Sequence, residues 1–213
     1  MKKTFKILTV FLCLLLVASM VLTSCGKDDT NTEDTTTTAV DNSPNYSELN
    51  LEDYIELGNY KGIVVDARET EQDQALWEAI VSLCKVKDYP AEALEYYTNQ
   101  IVKSYEEAAD RAKMTYDELM TALDKDAEDI DREAKDLVKK DLITQAIVKA
   151  EGYELTDAEK TELFDKYASY YVDLYGYTEE YIRENLSEEI YDSMQHDKMM
   201  EYLIIENYFV AED

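Results

Sequence analysis

The chain has 213 residues and is strongly acidic: 48 aspartates and glutamates oppose 21 lysines and arginines, giving a formal net charge of −27 at pH 7. Such a charge repels nucleic acids and anionic lipid headgroups, so no nucleic-acid partner is expected. The acidity is typical of a protein that must stay soluble after secretion, and recognition of a basic partner is the alternative.

The head of the chain has the layout of a bacterial secretion signal. Residues 1–6 are basic, residues 7–22 are apolar, and Leu-Thr-Ser-Cys at 22–25 has the form of a lipobox. The alternative is a transmembrane anchor, but the apolar run is shorter than the roughly 20 residues that cross a bilayer. We therefore predict a signal peptide over 1–24 and a lipoprotein whose Cys25 carries diacylglycerol and palmitate. These acyl chains would hold it on the outer face of the cytoplasmic membrane.

The cysteines fit this interpretation. Cys13 leaves with the signal peptide and Cys25 is lipidated, so Cys84 is the remaining thiol of the mature chain. No intramolecular disulfide can then form. Cys84 lies on the apolar side of a helical pattern, which predicts a buried, inert thiol.

Two non-helical segments come before the main domain. Residues 26–45, GKDDTNTEDTTTTAVDNSPN, have no apolar periodicity, so 25–45 is predicted to be a lipidated, disordered tether. As a flexible coil of about 20 residues it would place the domain roughly 25 Å from the membrane. The sequence IELGNYKGIVVD at 55–66 alternates like a strand, which predicts an extended linker over 46–68. The remainder, 69–213, is predicted to be one helical domain.

Periodicity and breakers place the first helices. Apolar spacing predicts one helix over about 70–86, and Pro90 suits the start of a second. A third helix is predicted over about 116–124, because TYDE at 115–118 has the spacing of a capping box.

The second half of the chain continues this pattern. A long helix is predicted over about 127–150, with Gly152 suited to the left-handed position after its end. A second capping box, TDAE at 156–159, opens a helix that Gly176 stops. Thr178 can cap a short helix, and Ser187 can start a final one to about Tyr208. With so few turn residues, the sequence predicts an all-α domain.

Four stretches of the sequence carry a family resemblance. LGNYKGI at 57–63 is similar to the LGDYKGL linker of trigger factor, a family of bacterial ribosome-associated chaperones. AIVKAEGYELTDAE at 146–159 is similar to AIAKAEGIEVTDEE, the junction between two long helices of its C-terminal domain. Weaker likenesses are YPAEALEYYTNQIV at 89–102 and MTYDEL at 114–119. The resemblance spans roughly 50–208, and it implies a multi-helix trigger-factor-C/SurA-like chaperone domain with an extended N-terminal linker strand.

Two parts of the family have no counterpart in this sequence. One is the ribosome-docking domain with its Gly-Phe-Arg loop, so no ribosome partner is expected. The other is the FKBP-like prolyl isomerase domain of roughly 90 residues, for which the about 25 residues between Gly62 and Pro90 are too few to bury a separate core. We therefore predict that the isomerase site is absent, that the chain has no catalytic residues, and that it is not an enzyme.

The resemblance also implies that the domain holds unfolded polypeptide in a cleft between two helical arms. Tyrosine and methionine suit this task, because both make adaptable apolar contacts. Tyr170 and Tyr171 are adjacent and point about 100° apart, so both are not expected in one core. The predicted client-binding cleft is lined by two sets of residues that face each other: Leu94, Tyr97, Ile101 and Tyr105, and opposite them Tyr167, Tyr171, Leu174 and Tyr175.

The expected function is that of a membrane-anchored extracytoplasmic holdase, which binds unfolded or exported polypeptides and assists their folding or transport without catalysis. The alternative is a dedicated interaction lipoprotein that acts as an adaptor for a single partner.

Other chemistry is not favoured. His196 has no neighbouring Ser or Cys motif and is expected on a helix surface. No nucleophile elbow, phosphate loop or zinc spacing occurs. The acidic run at 124–131 lacks the glycine and the last glutamate of an EF-hand loop, so its acids are expected to favour a helix dipole. No cofactor and no metal are predicted.

Overall fold

The computed structural model describes residues 43–66, 68 and 71–210, without the side chains of Tyr175, Asn185, Glu188 and Glu189. The predicted signal peptide, Cys25 and most of the predicted tether lie outside these residues. Within them, no helix combines the length and apolar character that a membrane crossing requires.

The described residues are mostly helical. Seven α-helices follow one another in chain order: α1 (Gln72–Leu83), α2 (Ala91–Ala112), α3 (Tyr116–Ala122), α4 (Ala127–Glu151), α5 (Asp157–Tyr175), α6 (Glu179–Asn185) and α7 (Ser187–Ile205). The same residues contain four short strands: β1 (Ile55–Glu56), β2 (Val64–Asp66), β3 (Lys85–Val86) and β4 (Tyr208–Val210). The prediction of an all-α fold is confirmed.

The helix starts and stops follow the local sequence signals. Thr115 and Thr156 each form a complete capping box with the glutamate three residues later. Gly152 and Gly176 take the left-handed conformation after α4 and α5. Within the acidic run at 124–131, Asp126 caps α4, so these acids do act at a helix start.

The predicted start of the last helix is confirmed, but two predicted helix ends are wrong. Helix α7 begins at Ser187 and ends at Ile205, short of the expected Tyr208, because Tyr208–Val210 form β4 and pair with β2. The first helix ends at Leu83, and Cys84 is extended, because β3 pairs antiparallel with β1. Cys84 is nevertheless buried, and burial raises the pKa of its thiol.

The linker at 46–68 forms two strands that pair with distant parts of the chain. β1 pairs with β3, and β2 pairs in parallel with β4, with Val64 opposite Tyr208. Gly62 lies between β1 and β2 at φ +73°, which glycine adopts at little cost. The linker is therefore built into the domain at both ends.

The buried apolar residues form two clusters. The first joins α1, α2, α4, the second half of α7 and the linker. The second joins α5, α6 and the first half of α7. Helix α7 links them, since Ile190 and Met194 lie in the second cluster while Met199, Met200 and Leu203 lie in the first.

His196 is buried in α7, contrary to the expectation of a surface position. Its ring meets Trp77 edge-on, with ring centroids 4.8 Å apart, and its Nδ1 lies 3.4 Å from the Thr144 hydroxyl. Burial lowers the pKa of His196 to about 4. At neutral pH it is an uncharged core residue, a role that its polar flanks, Gln195 and Asp197, concealed in the sequence.

Candidate functional site

The α2 side of the predicted cleft is mostly core. Tyr97, Ile101 and Tyr105 are buried against α4, while Leu94 is half-buried. The Tyr97 hydroxyl donates to Asp141, and that of Tyr105 donates to Glu133 at 3.3 Å. Contrary to the prediction, these three side chains do not line an open cleft. Residues spaced by four along α2 form the face that α4 covers.

The α5 side of the predicted cleft is divided. Tyr167 is buried, and its hydroxyl donates to Asp197 at 2.7 Å, so its placement in a cleft is also corrected. Tyr171 is half-buried and Leu174 is 49% exposed. The side chain of Tyr175 lies outside the described residues. Of this set, Tyr171 and Leu174 reach the surface.

An aromatic surface forms where α5 turns into α6. We call it the tyrosine surface, and it consists of Tyr170, Tyr171, Leu174, Tyr177 and Tyr181. Tyr181 is 44% exposed, and its ring centroid lies 5.0 Å from that of Tyr177. The Tyr170 and Tyr171 ring centroids are 6.4 Å apart. Tyr170, Tyr177 and Tyr181, which the predicted site omitted, stand out in the sequence by their density around one helix end.

The tyrosine surface has acidic neighbours along the chain and lies close to α2. Asp173, Glu179, Glu180 and Glu184 are exposed, while Arg183 pairs with Asp165 at 2.6 Å. The pKa of Tyr177 is raised by burial first, then by the charges of Tyr181 and Glu107, with Arg111 opposing. Because Glu107 and Arg111 belong to α2, the turn between α5 and α6 lies near the end of that helix.

A groove of about 550 Å³ lies beside the start of the described chain. One wall is the chain segment at 43–47, and the others include Gln145, Val148 and Lys149 of α4, Lys160 of α5 and Asp192 of α7. The groove therefore brings the end of the predicted tether against three helices.

Tyr46 anchors this segment beside the groove. It is 7% exposed, and its hydroxyl donates to Asp141 Oδ2 at 3.1 Å. Burial raises the pKa of Asp141 to about 6, and the hydrogen bonds from Tyr97 and Tyr46 oppose this rise. Burial, followed by the charge of Asp141, raises the pKa of both tyrosines well above their usual range. A single aromatic residue at the end of a polar run was the sequence signal for this anchor.

A second apolar patch follows the β2–β4 sheet. Val65 is buried and Phe209 half-buried, whereas Val64, Tyr208 and Val210 are exposed, as is Ile205 at the end of α7. Sequence reasoning missed this patch because β4 exists only through its pairing with β2.

The described residues contain no group of three or more His, Cys, Asp or Glu side chains placed to hold a metal ion. Their distinctive surfaces are instead apolar and aromatic, carried by an all-α body. Exposed apolar patches of this kind mark interaction sites.

Comparison with known families agrees with this class. The family model described as "Bacterial trigger factor protein (TF) C-terminus" matches residues 58–205. The chain belongs to this family. No curated protein and no solved structure matches the chain. The matched domain is of chaperone type, has no catalytic activity of its own, and implies the binding of unfolded polypeptides.

Proposed function

We propose that this protein is a membrane-anchored extracytoplasmic holdase. It binds unfolded or exported polypeptides and shields their apolar segments, without prolyl isomerase catalysis. The observation that carries the proposal is the coincidence of the chaperone-family match over 58–205 with a tyrosine surface inside the same range, of which Leu174 and Tyr181 are exposed and the other members half-buried.

The composition of the tyrosine surface supports binding of many sequences. A tyrosine ring offers broad apolar contact with a polar tip, so it tolerates both water and an apolar partner. Leu174 and Tyr181 are the most exposed members of this surface. Four exposed acids next to it in sequence keep the region soluble when no client is bound.

The proposal leaves out isomerase catalysis, and the segment where an isomerase domain would lie supports this. Between Gly62 and Pro90 the described residues form β2, α1 and β3. Leu76, Trp77 and Ile80 of α1 are buried in the same cluster as α2 and α4. This stretch is therefore part of the main core and does not form a domain of its own.

The location rests on the lipobox at 22–25 and the polar tether that follows it. Replacing Cys25 with Ala removes the thiol that would be acylated. We expect the wild-type protein in the membrane fraction of the host and the Cys25→Ala protein outside that fraction. Equal membrane retention of both would contradict lipidation at Cys25.

The functional test is suppression of aggregation. The mature chain is mixed at equimolar ratio with several unrelated model proteins, such as thermally unfolding citrate synthase and reduced insulin, and light scattering is followed. A holdase lowers the scattering of all of them. A dedicated adaptor leaves them unchanged and captures one partner instead, which would favour the alternative.

A matched pair of variants ties this activity to the proposed surface. The double change Leu174→Asp and Tyr181→Asp puts charge on the two most exposed members of the tyrosine surface, so we expect it to abolish most of the suppression. Leu123→Asp changes another exposed leucine, at the end of α3, and should leave the activity intact. Equal activity of both variants would remove the tyrosine surface from the proposal.

A further inference from the structure

Residues 155–194 pack a core of their own. Among the described residues, every buried side chain of the second cluster and every apolar side chain packed against it lies in this range. The first cluster instead draws on residues 46–148 and 199–209. A continuous stretch of chain that buries its own apolar side chains is able to move as one unit. We call residues 155–194 the arm, and the described residues of 43–151 and 199–210 the body.

Two connections join the arm to the body, and Gln195 ties one to the other. The first connection is the turn at 152–154 between α4 and α5, and the second is the middle of α7 at 195–198. The Gln195 Oε1 atom accepts from the Leu155 amide at 2.8 Å, and its Nε2 atom donates to the Tyr153 carbonyl at 2.7 Å. The two connections, which we call the neck, are therefore fixed side by side.

Lys198 makes a second tie across the neck. Its Nζ atom donates to the Glu154 carbonyl at 3.0 Å and forms an ion pair with the Glu159 carboxylate at 2.9 Å. The Lys198 and Glu159 side chains are 30% and 38% exposed, so water reaches this ion pair. Hydrogen bonds and ion pairs that water can replace contribute little net stability, so these ties can break without loss of either core.

The boundary between arm and body on α7 falls between neighbouring residues. Asp197 accepts from the Tyr167 hydroxyl of the arm at 2.7 Å, whereas the His196 ring meets Trp77 of the body. On the other connection, Gly152 takes φ +70°, and apart from its chain neighbours no atom lies within 4 Å of the position that a Cβ would occupy. Hinges are short segments at the ends of elements that absorb changes in backbone angle. The neck has this form, with open space at Gly152.

The tip of the arm lies near α2. The turn between α5 and α6 carries Tyr177, which is half-buried, and the charges of Glu107 and Arg111 on α2 act on its hydroxyl. A movement of the arm about the neck would separate Tyr177 from α2. The neck therefore controls how much of the tyrosine surface is open.

We propose that the neck is a hinge and that Gln195 and Lys198 are the latch that keeps the arm closed. When their bonds break, the arm moves away from α2 as an intact unit and exposes Tyr177 with the rest of the tyrosine surface. An unfolded polypeptide binds this open form more tightly, and its binding shifts the population toward that form. The hinge goes beyond the proposed holdase function, whereas the preference of the client for the open form rests on it.

Distances between two spin labels test the hinge. The labels are placed on α2 through Lys103→Cys and on the arm through Glu180→Cys, both exposed positions, in the mature Cys25→Ala chain, whose other thiol is buried. The latch variant combines Gln195→Ala with Lys198→Ala. In pulsed electron paramagnetic resonance, the distance between the labels should be longer and more broadly distributed in the latch variant than in the protein with the latch intact. An unchanged distance overturns the hinge.

Two controls separate a hinge movement from general loosening. Gln74→Ala with Lys140→Ala removes the same residue types, but their bonds, to Glu78 and Asp136, stay within α1 and α4. This control variant should keep the original distance. Hydrogen exchange of the α5 amides should stay slow in the latch variant, because the arm moves intact. An equal change of distance in both variants, or loss of α5 protection in the latch variant, overturns the hinge.

The preference of the client is tested with the latch intact. Reduced and carboxymethylated lactalbumin, added to the labelled protein, should lengthen the distance between the labels, and native lactalbumin should not. The latch variant should bind the unfolded lactalbumin about tenfold tighter, as expected when a form populated to about one part in ten becomes the main one. No change of distance with unfolded lactalbumin, or equal affinity of the two proteins, overturns this preference.

The two proposals fail separately. If the wild type suppresses aggregation but the latch variant keeps the original distance, the hinge fails and the holdase function stands. If the distance lengthens in the latch variant but neither protein suppresses aggregation, the holdase function fails with the client preference, and the hinge stands.

Discussion

At the scale of single residues, pairs of tyrosine and carboxylate explain how so acidic a chain packs a core. Each of these hydroxyls donates to an acid on α4 or α7. The pairs are Tyr46 and Tyr97 with Asp141, Tyr105 with Glu133, Tyr60 with Glu151, and Tyr167 with Asp197. Asp197 is buried and the other three acids are half-buried. Because a carboxylate taken out of water without a partner is costly, these tyrosines stabilise the fold.

Asp141 should make stability depend on pH. Burial raises its pKa to about 6 in the folded chain, against a usual value near 3.8. Between these values the folded state binds the extra proton, so Asp141 lowers the free energy of unfolding as pH rises from about 4 to about 6. Asp141→Asn has no such charge and can still accept from the tyrosines. Relative to that of wild type, the free energy of unfolding of Asp141→Asn should therefore rise by about 2–3 kcal/mol between pH 4 and pH 7.

Urea unfolding of both proteins at pH 4, 5, 6 and 7 measures this difference. Asp136→Asn is the control. Asp136 is an exposed acid on the same helix and pairs with Lys140 at 2.5 Å, and loss of this ion pair should cost at most about 0.5 kcal/mol. Asp197, with its pKa raised to about 6, and His196, with its pKa lowered to about 4, act in opposite directions. The contributions of Asp197 and His196 cancel in the comparison, because wild type and Asp141→Asn contain the same two residues. A constant gap between wild type and Asp141→Asn across this range would refute the assignment.

Two glycines of the linker should respond differently to alanine. At Gly58 an added Cβ would lie 2.4 Å from the Leu83 carbonyl oxygen, so the backbone must move, at about 1–3 kcal/mol. At Gly62 nothing lies within 4 Å, and alanine meets only the cost of φ +73°, about 1 kcal/mol. Thermal unfolding of Gly58→Ala, Gly62→Ala and Gly62→Asn tests this, with the asparagine variant expected nearest to wild type. A fully stable Gly58→Ala would show that the linker and the end of α1 are not in close contact.

At the scale of elements, the helix starts depend on local chemistry. The Thr156 hydroxyl accepts from the Glu159 amide, and the Glu159 carboxylate accepts from the Thr156 amide at 2.8 Å. Thr156→Ala should cost about 1 kcal/mol and speed hydrogen exchange in the first turn of α5. Thr161→Ala, one turn further on, removes a hydroxyl that bonds only within the helix, to the Asp157 carbonyl, and should not destabilise. Equal effects of the two changes would show that the cap is not what starts α5.

Features that depend on short-range signals could be predicted from the sequence, whereas features that depend on distant parts of the chain could not. The capping boxes at 115 and 156 and the glycine stops at 152 and 176 are short-range signals, and the structure confirms them. The strands β3 and β4 exist through pairing with β1 and β2, so no local pattern announces them. The tyrosines of α2 were predicted in a cleft because ring-rich stripes suit both a core and a binding surface. Only the position of α4 decides between these roles.

At the scale of the whole molecule, α7 joins the two clusters, and the tyrosine surface lies at the turn between α5 and α6, two helices of the second cluster. In the proposed function the tyrosine surface is the place where an unfolded chain binds. In the proposed setting the tether holds this surface outside the membrane, where exported polypeptides arrive unfolded.

The most direct measurement is site-specific photo-crosslinking from the tyrosine surface. A photoreactive residue is placed at Leu174 or, as a control, at Lys103, an exposed polar position on α2. Carboxymethylated, unfolded lactalbumin should crosslink many-fold more strongly to position 174 than to position 103, and native lactalbumin should crosslink to neither. Equal labelling from both positions, or no labelling of the unfolded protein from position 174, would contradict the account.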